Sequence, residues 1–303
     1  MGQKIQFIYA LVIMVIIVSS PHANGQEWTV ADVCKLPSCL PDYVISYGPD
    51  SLQFGEMRIP SGTGPFPVAM IIHGGCWVAS VADVGYTAPL SEALRNEGIA
   101  TWNIEYSQVE HPRGGWPGTF EDVASAADHL QEIADEYNLD LGRVVVIGHS
   151  AGAHLALWVA ARHNITSESP IYRESPLSFR GVVALAAPVD LENLIDLSDQ
   201  LCGDSLMIKL VGGLPKEVPE NYNNVSPLRL LPTGVPQRLI IGEHDIPLLL
   251  EHLAVYVDSA LVLNEDITLD TILYAGHDEP AIPGSIAWLK VRATVKSLLG
   301  IAD

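Results

Sequence analysis

Residues 143–161 read RVVVIGHSAGAHLALWVAA. The unbroken apolar run Val144 to Ile147 predicts a strand buried on both faces. From Ala151 the chain becomes rich in alanine and leucine, the composition of a helix. Between strand and helix stand His149 and Ser150, bracketed by Gly148 and Gly152. Glycine at both places leaves room for a sharp strand-to-helix turn with Ser150 exposed at its apex. Such a turn lifts the hydroxyl above the C-terminal edge of a sheet, where doubly wound folds bind their ligands. It also aims the first amides of the helix at the same spot, and these favour developing negative charge. The competing reading makes Ser150 a simple helix cap.

The alternation of strand and helix continues on both sides of this turn. Residues 42–60 suggest two antiparallel edge strands broken by turn residues, and SGTGPFP (61–67) is a turn. Residues 68–75, 98–107, 179–188, 237–245 and 268–277 each carry an apolar strand pattern. Helical spacing fills 87–97, 119–137, 248–262 and about 285–299. Continuous apolar strands separated by helices imply an α/β fold. The expected architecture is a mostly parallel central sheet of about eight strands with helices on both faces. The rhythm pauses over about 190–235, too long for an ordinary connection and read as a small cap-like excursion. Residues 26–303 form one domain in this reading.

The chain has 303 residues and a formal charge of −20, from 36 acidic and 16 basic side chains. That charge repels nucleic acid and anionic lipid, so neither is expected as a partner. Residues 1–25 hold a single charge, Lys4, then an apolar stretch from Ile5 to Val18, and Ala23 and Gly25 near the end. This is the pattern of a signal peptide cleaved before Gln26, with an uncleaved anchor as the alternative. The expected destination is outside the cell or in the periplasm, with no membrane attachment after cleavage. Export permits disulfides. Cys34 and Cys39 flank a short loop and are expected to pair, whereas Cys76 and Cys202 are expected as thiols, their pairing being the alternative. No cysteine spacing suits zinc, and neither a metal nor an organic cofactor is expected. Asn164 and Asn224 head glycosylation sequons.

A serine nucleophile needs a base, and ten histidines compete. His149 adjoins the serine on a tight turn and points elsewhere; His154 and His252 fall inside helices. His277 follows the strand TILYA and Gly276, which puts it on the same sheet edge as Ser150. Its orienting acid is expected to be Asp245, at the end of QRLIIGEHD, in preference to Glu243 or the adjacent Asp278. The chain order Ser150, Asp245, His277 is that of the elbow-type hydrolases. The oxyanion donors are expected to be the N–H groups of Gly75, Cys76 and Ala151, with Gly74 the alternative and His73 a brace for its loop. Trp77, Tyr106 and Trp116 are candidates to line the substrate pocket.

Together, His73-Gly74-Gly75, the GHSAG turn, Pro117, Asp122, Ser226-Pro227, Asp245 and His277 resemble the α/β-hydrolase fold. They are most similar to the serine esterases of the hormone-sensitive-lipase-like and BD-FAE-like groups, arylformamidase-type members included. The Tyr-Arg dipeptide frequent in those groups is Tyr106-Ser107 here, and Cys76 stands where a third glycine is common. The resemblance implies a serine hydrolase acting on a small-molecule carboxylic ester of a small or aromatic acyl group. The alternatives are amide hydrolysis of the arylformamidase type and removal of acetyl or feruloyl groups from polysaccharide. A catalytically silent binding protein is the non-enzymatic alternative. The oligomeric state is not legible in the residues.

Overall fold

A computed structural model of the chain describes residues 28–195, 202–203 and 205–302. The leader expected at 1–25 lies outside them. Eight strands form one sheet: β1 (Tyr43–Ser46), β2 (Phe54–Arg58), β3 (Phe66–Ile72), β4 (Ala100–Ile104), β5 (Leu139–His149), β6 (Gly181–Leu185), β7 (Gln237–Gly242) and β8 (Ile267–Ile272). Their spatial order is β1-β2-β4-β3-β5-β6-β7-β8. β1 and β2 are antiparallel to their neighbours, and every pairing from β4 to β8 is parallel. This is the α/β-hydrolase architecture.

The apolar runs are continuous because alternate side chains enter two separate cores. Val68, Met70 and Ile72 of β3 join Val144 and Val146 of β5 on one face. Ala69, Ile71, Val145 and Ile147 join the other. Each fully buried aliphatic side chain of this kind contributes about 1.5–3 kcal/mol relative to exposure.

The helices that matter for the site are α1 (Val30–Val33), α2 (Ala88–Asn96), α3 (Gly118–Ile133), α4 (Ala151–Ala161), α5 (Leu206–Val211), α6 (Pro219–Val225), α7 (Pro247–Val262) and α8 (Trp288–Leu299). α4 is buried along its whole length, which explains a composition apolar on every side. The chain leaves β3 for β4 on one side and later places β5 on the other. The C-terminal ends of β3 and β5 therefore flank a switch point, the crevice where open α/β sheets bind ligands. The interval 190–235 contains α5, α6 and a 3-10 turn at Pro227–Leu230, with no strand among its described residues.

Candidate active site

Ser150 sits at the β5–α4 junction with φ 53° and ψ −120°, a backbone conformation that a non-glycine residue seldom adopts. The bracketing glycines make the turn fit. A Cβ on Gly148 would lie 2.1 Å from the carbonyl oxygen of Gly152, and one on Gly152 would lie 2.1 Å from that of Ile72. The turn is anchored by the Ser150 N–H, which donates to the Leu185 carbonyl at the end of β6 (2.8 Å), and by the Ser150 carbonyl, which accepts from the Ala153 N–H (2.9 Å).

His277 follows β8 in a loop whose Ala275 carbonyl accepts from the His244 N–H (2.8 Å), tying it to the loop after β7. That tie brings the acid to the base: His277 Nδ1 is 2.9 Å from both carboxylate oxygens of Asp245. Asp245 is buried, and its Oδ1 also accepts the Ile246 N–H at 2.7 Å. Glu243, the rival acid, turns away and accepts the Tyr274 N–H. Because a carboxylate only accepts, Nδ1 carries the proton and Nε2 is left with a lone pair, as a general base requires. Burial opposes charge on His277. The hydrogen bond and charge of Asp245, with the charges of Asp278 and Glu279, outweigh it and hold the imidazole pKa above its ordinary value.

The loop after β3 is left-handed at three consecutive residues: Gly75 (φ 98°), Cys76 (φ 56°) and Trp77 (φ 57°). A polar cluster behind it holds this shape. His73 Nδ1 faces the Gly74 carbonyl at 2.8 Å and Nε2 faces Glu105 Oε1 at 3.0 Å. Both of these partners only accept, so a proton on either ring nitrogen is well served. Burial pulls the His73 pKa down, but Glu105 outweighs it and the net shift is upward. Glu105 in turn is pushed up by burial and pulled further down by His73. Its carboxylate also accepts the N–H groups of Tyr106 (2.9 Å) and Val84 (3.0 Å). The expected bracing role of His73 thus has a charged partner, Glu105, that the residue pattern did not single out.

Four expectations need correction. Cys34 and Cys39 are not bonded to each other; both are exposed thiols. Cys34 ends α1, and the Cys39 carbonyl accepts from Arg58 Nη2 on β2, so each is held by a different element. The disulfide is Cys76–Cys202, across 126 residues, with Cα atoms 5.4 Å apart. It ties the loop after β3 to the 190–235 interval. Tyr106 is fully buried behind the loop, stacked on His73 at 4.5 Å and donating its hydroxyl to the His73 carbonyl. Trp116 packs toward Phe120 and the core instead of the site.

Trp77, Ser150 and His277 line one cavity of about 220 Å³. Its other walls include Cys76, Cys202, Val81, Pro188, Met207, Ile246 and Leu249, and no lysine or arginine is among the described lining residues. Gly75 is in the wall too. Met207 and Leu249 lie on helices far away in sequence, and nothing in their local pattern marks them as pocket residues. Among the described residues no group of three or more His, Cys, Asp or Glu could hold a metal ion.

The profile of the BD-FAE family matches residues 57–252, about two thirds of the chain, and spans the loop after β3, the elbow and Asp245. The chain belongs to the BD-FAE family. Among curated relatives, esterase LipC of Mycobacterium tuberculosis is 29% identical over 223 residues, covering 71% of this chain and 53% of the relative. The chain spans about half the length, or less, of the curated relatives it matches. Among solved structures, esterase B from Lactobacillus Rhamnosis has a TM-score of 0.70 at 19% identity, covering 87% of this chain and 89% of that one. A truncated carbohydrate esterase from gut microbiota has a TM-score of 0.68 at 19% identity, covering 85% and 95%. At these identities the structural likeness bears on the fold, and the BD-FAE assignment rests on the profile match.

Proposed function

We propose that this BD-FAE member is a serine esterase that cleaves carboxylic esters of small or aromatic acyl groups through an acyl-enzyme on Ser150. The observation that carries this reading is one cavity lined by both the strained Ser150 and the Asp245-bound His277. His277 Nε2 takes the hydroxyl proton as Ser150 Oγ bonds to the ester carbonyl carbon. The N–H groups of Gly75, Cys76 and Ala151 receive the negative charge of the tetrahedral oxygen. The C–O bond to the alcohol then breaks as His277 returns the proton to the departing oxygen. Water, deprotonated by the same nitrogen, attacks the acyl carbon and frees the acid.

The apolar walls, with no lysine or arginine among the described lining residues, favour an uncharged acyl group over a carboxylate-bearing one. The Cys76–Cys202 bond supports an oxidising compartment, in keeping with the leader expected at 1–25. Initial rates on p-nitrophenyl esters of two to twelve carbons, beside acetylated xylan, feruloyl esters and N-formylkynurenine, test the reading. Turnover concentrated on short or aromatic p-nitrophenyl esters is expected. Turnover of the formamide alone would overturn the ester assignment.

A further inference from the structure

His149, next to the nucleophile, contacts the backbone of the residue whose side chain Asp245 holds. Its Nε2 lies 2.9 Å from the backbone carbonyl of His277. Its Nδ1 lies 3.0 Å from the hydroxyl of Tyr86, which is itself 2.7 Å from Asp278 Oδ1. The chain of contacts runs from His277, through His149 and Tyr86, to the residue after His277. Tyr86 and His149 are both fully buried or nearly so, and both line the cavity. We propose that His149 and Tyr86 are positioning residues that brace the backbone of His277 against the nucleophile elbow.

The proton inventory shows which bond the brace depends on. A carbonyl only accepts, so the contact with His277 requires the proton of His149 to be on Nε2. Burial drives the His149 pKa down to about 4, with the nearby His277 adding to the effect, so the ring is neutral near pH 7. Nδ1 then has a lone pair, and the single phenolic proton of Tyr86 must choose between Nδ1 and the Asp278 carboxylate. A neutral imidazole, a phenol and a carboxylate hold two protons for three contacts. If the imidazole proton moved to Nδ1, Tyr86 and Asp278 would both be satisfied, and Nε2 would face the His277 carbonyl lone pairs. The brace therefore holds while Nε2 keeps its proton, the tautomer that a Tyr86 hydroxyl donating to Nδ1 selects, and it is lost in the other tautomer.

This inference rests on the serine-hydrolase reading, so its test is chosen to separate the two. The rate at which a small fluorophosphonate labels Ser150, followed by intact mass, needs an aligned nucleophile and base but no particular substrate. His149→Gln keeps an amide N–H near the position of Nε2 and is expected to stay within about threefold of wild type. His149→Phe keeps bulk without a donor and is expected to label about tenfold more slowly. Tyr86→Phe retains the ring that packs in the core and loses only the hydroxyl; it is expected to label about three- to tenfold more slowly with an unchanged melting temperature. In an ester assay the loss should appear in kcat with KM little changed. Wild-type labelling rates in both Tyr86→Phe and His149→Phe would overturn the brace and leave the hydrolase reading intact. So would a His149→Gln variant as slow as His149→Phe. A wild-type protein whose Ser150 does not react at all would overturn both.

Discussion

Breaking the Cys76–Cys202 bond should damage stability and catalysis together. The bond closes a loop across 126 residues. In the chain-entropy picture a loop of that length restricts the unfolded chain by about 5 kcal/mol, and measured losses on removing native bridges run about 2–5 kcal/mol. For a chain of this size each kcal/mol moves the melting temperature by about 2 °C, so a fall of roughly 4–10 °C is expected. The catalytic loss has a separate cause. Cys76 and Trp77 are held in left-handed backbone, which costs on the order of 1–3 kcal/mol at each non-glycine residue and persists only under restraint. Without the link to Cys202, one restraint on that shape is gone, and the N–H groups of Gly75 and Cys76, the proposed oxyanion donors, relax. Misplacing such donors by about 1 Å costs about 10- to 100-fold in kcat. The assay compares wild type, wild type with dithiothreitol, and Cys202→Ala, by thermal melting and by kcat and KM on p-nitrophenyl acetate. Iodoacetamide mapping reports the state of the thiols: without reductant only Cys34 and Cys39 should be labelled. If Cys76 and Cys202 are alkylated after reduction while melting temperature and kcat stay at their oxidised values, the reasoning is refuted.

Other expectations follow from the same geometry. Gly152→Ala puts a Cβ about 2.1 Å from the Ile72 carbonyl and about 2.5 Å from that of His73; displacing α4 from the end of β3 should destabilise by about 3 kcal/mol in denaturant unfolding and lower kcat. Since the His277 pKa is raised chiefly against burial by Asp245, the acid limb of kcat/KM should lie above the ordinary imidazole value. Asp245→Asn should shift it to lower pH while kcat falls by about 10⁴-fold. The raised value also means that the His277–Asp245 interaction stabilises the fold fully below about pH 6.5 and that this contribution is lost as pH rises through the folded-state pKa. Glu105→Ala leaves the buried His73 without its carboxylate partner and the Tyr106 and Val84 N–H groups without their acceptor; urea unfolding should report a loss of about 3–5 kcal/mol.

The parts of this protein that were legible in its residues are those where local chemistry and local backbone coincide. The apolar runs of β3, β5 and β7 end at a polar residue or glycine, and Gly276 and His277 follow closely on β8, so Ser150, Asp245 and His277 could be placed on one edge before their distances were known. The antiparallel pair β1–β2 was legible for the same reason, from its turn residues. Pairings that depend on three-dimensional neighbourhood were not. Cys34 and Cys39 attracted a bridge by proximity in sequence, whereas Cys76 finds Cys202 only because the 190–235 interval folds back over the end of β3. Tyr106 and Trp116 looked like mouth aromatics because they stand next to Gly- and Pro-rich loop sequence. Tyr106 instead lies beneath the loop as its support, and the pocket walls Met207 and Leu249 come from helices whose apolar residues resemble ordinary core. His149 illustrates the same limit: its place beside the serine ruled it out as the base, and only the fold shows that it reaches the backbone of His277.

In the proposed reaction Ser150 takes an acyl group from an ester. Rapid quenching of the protein with p-nitrophenyl acetate, followed by intact mass and peptide mapping, tests it directly. A single acetyl group on Ser150 that disappears with further incubation, and its absence together with loss of turnover in Ser150→Ala, is the predicted result. Acetylation confined to another residue, or a Ser150→Ala variant that keeps wild-type turnover, would contradict it.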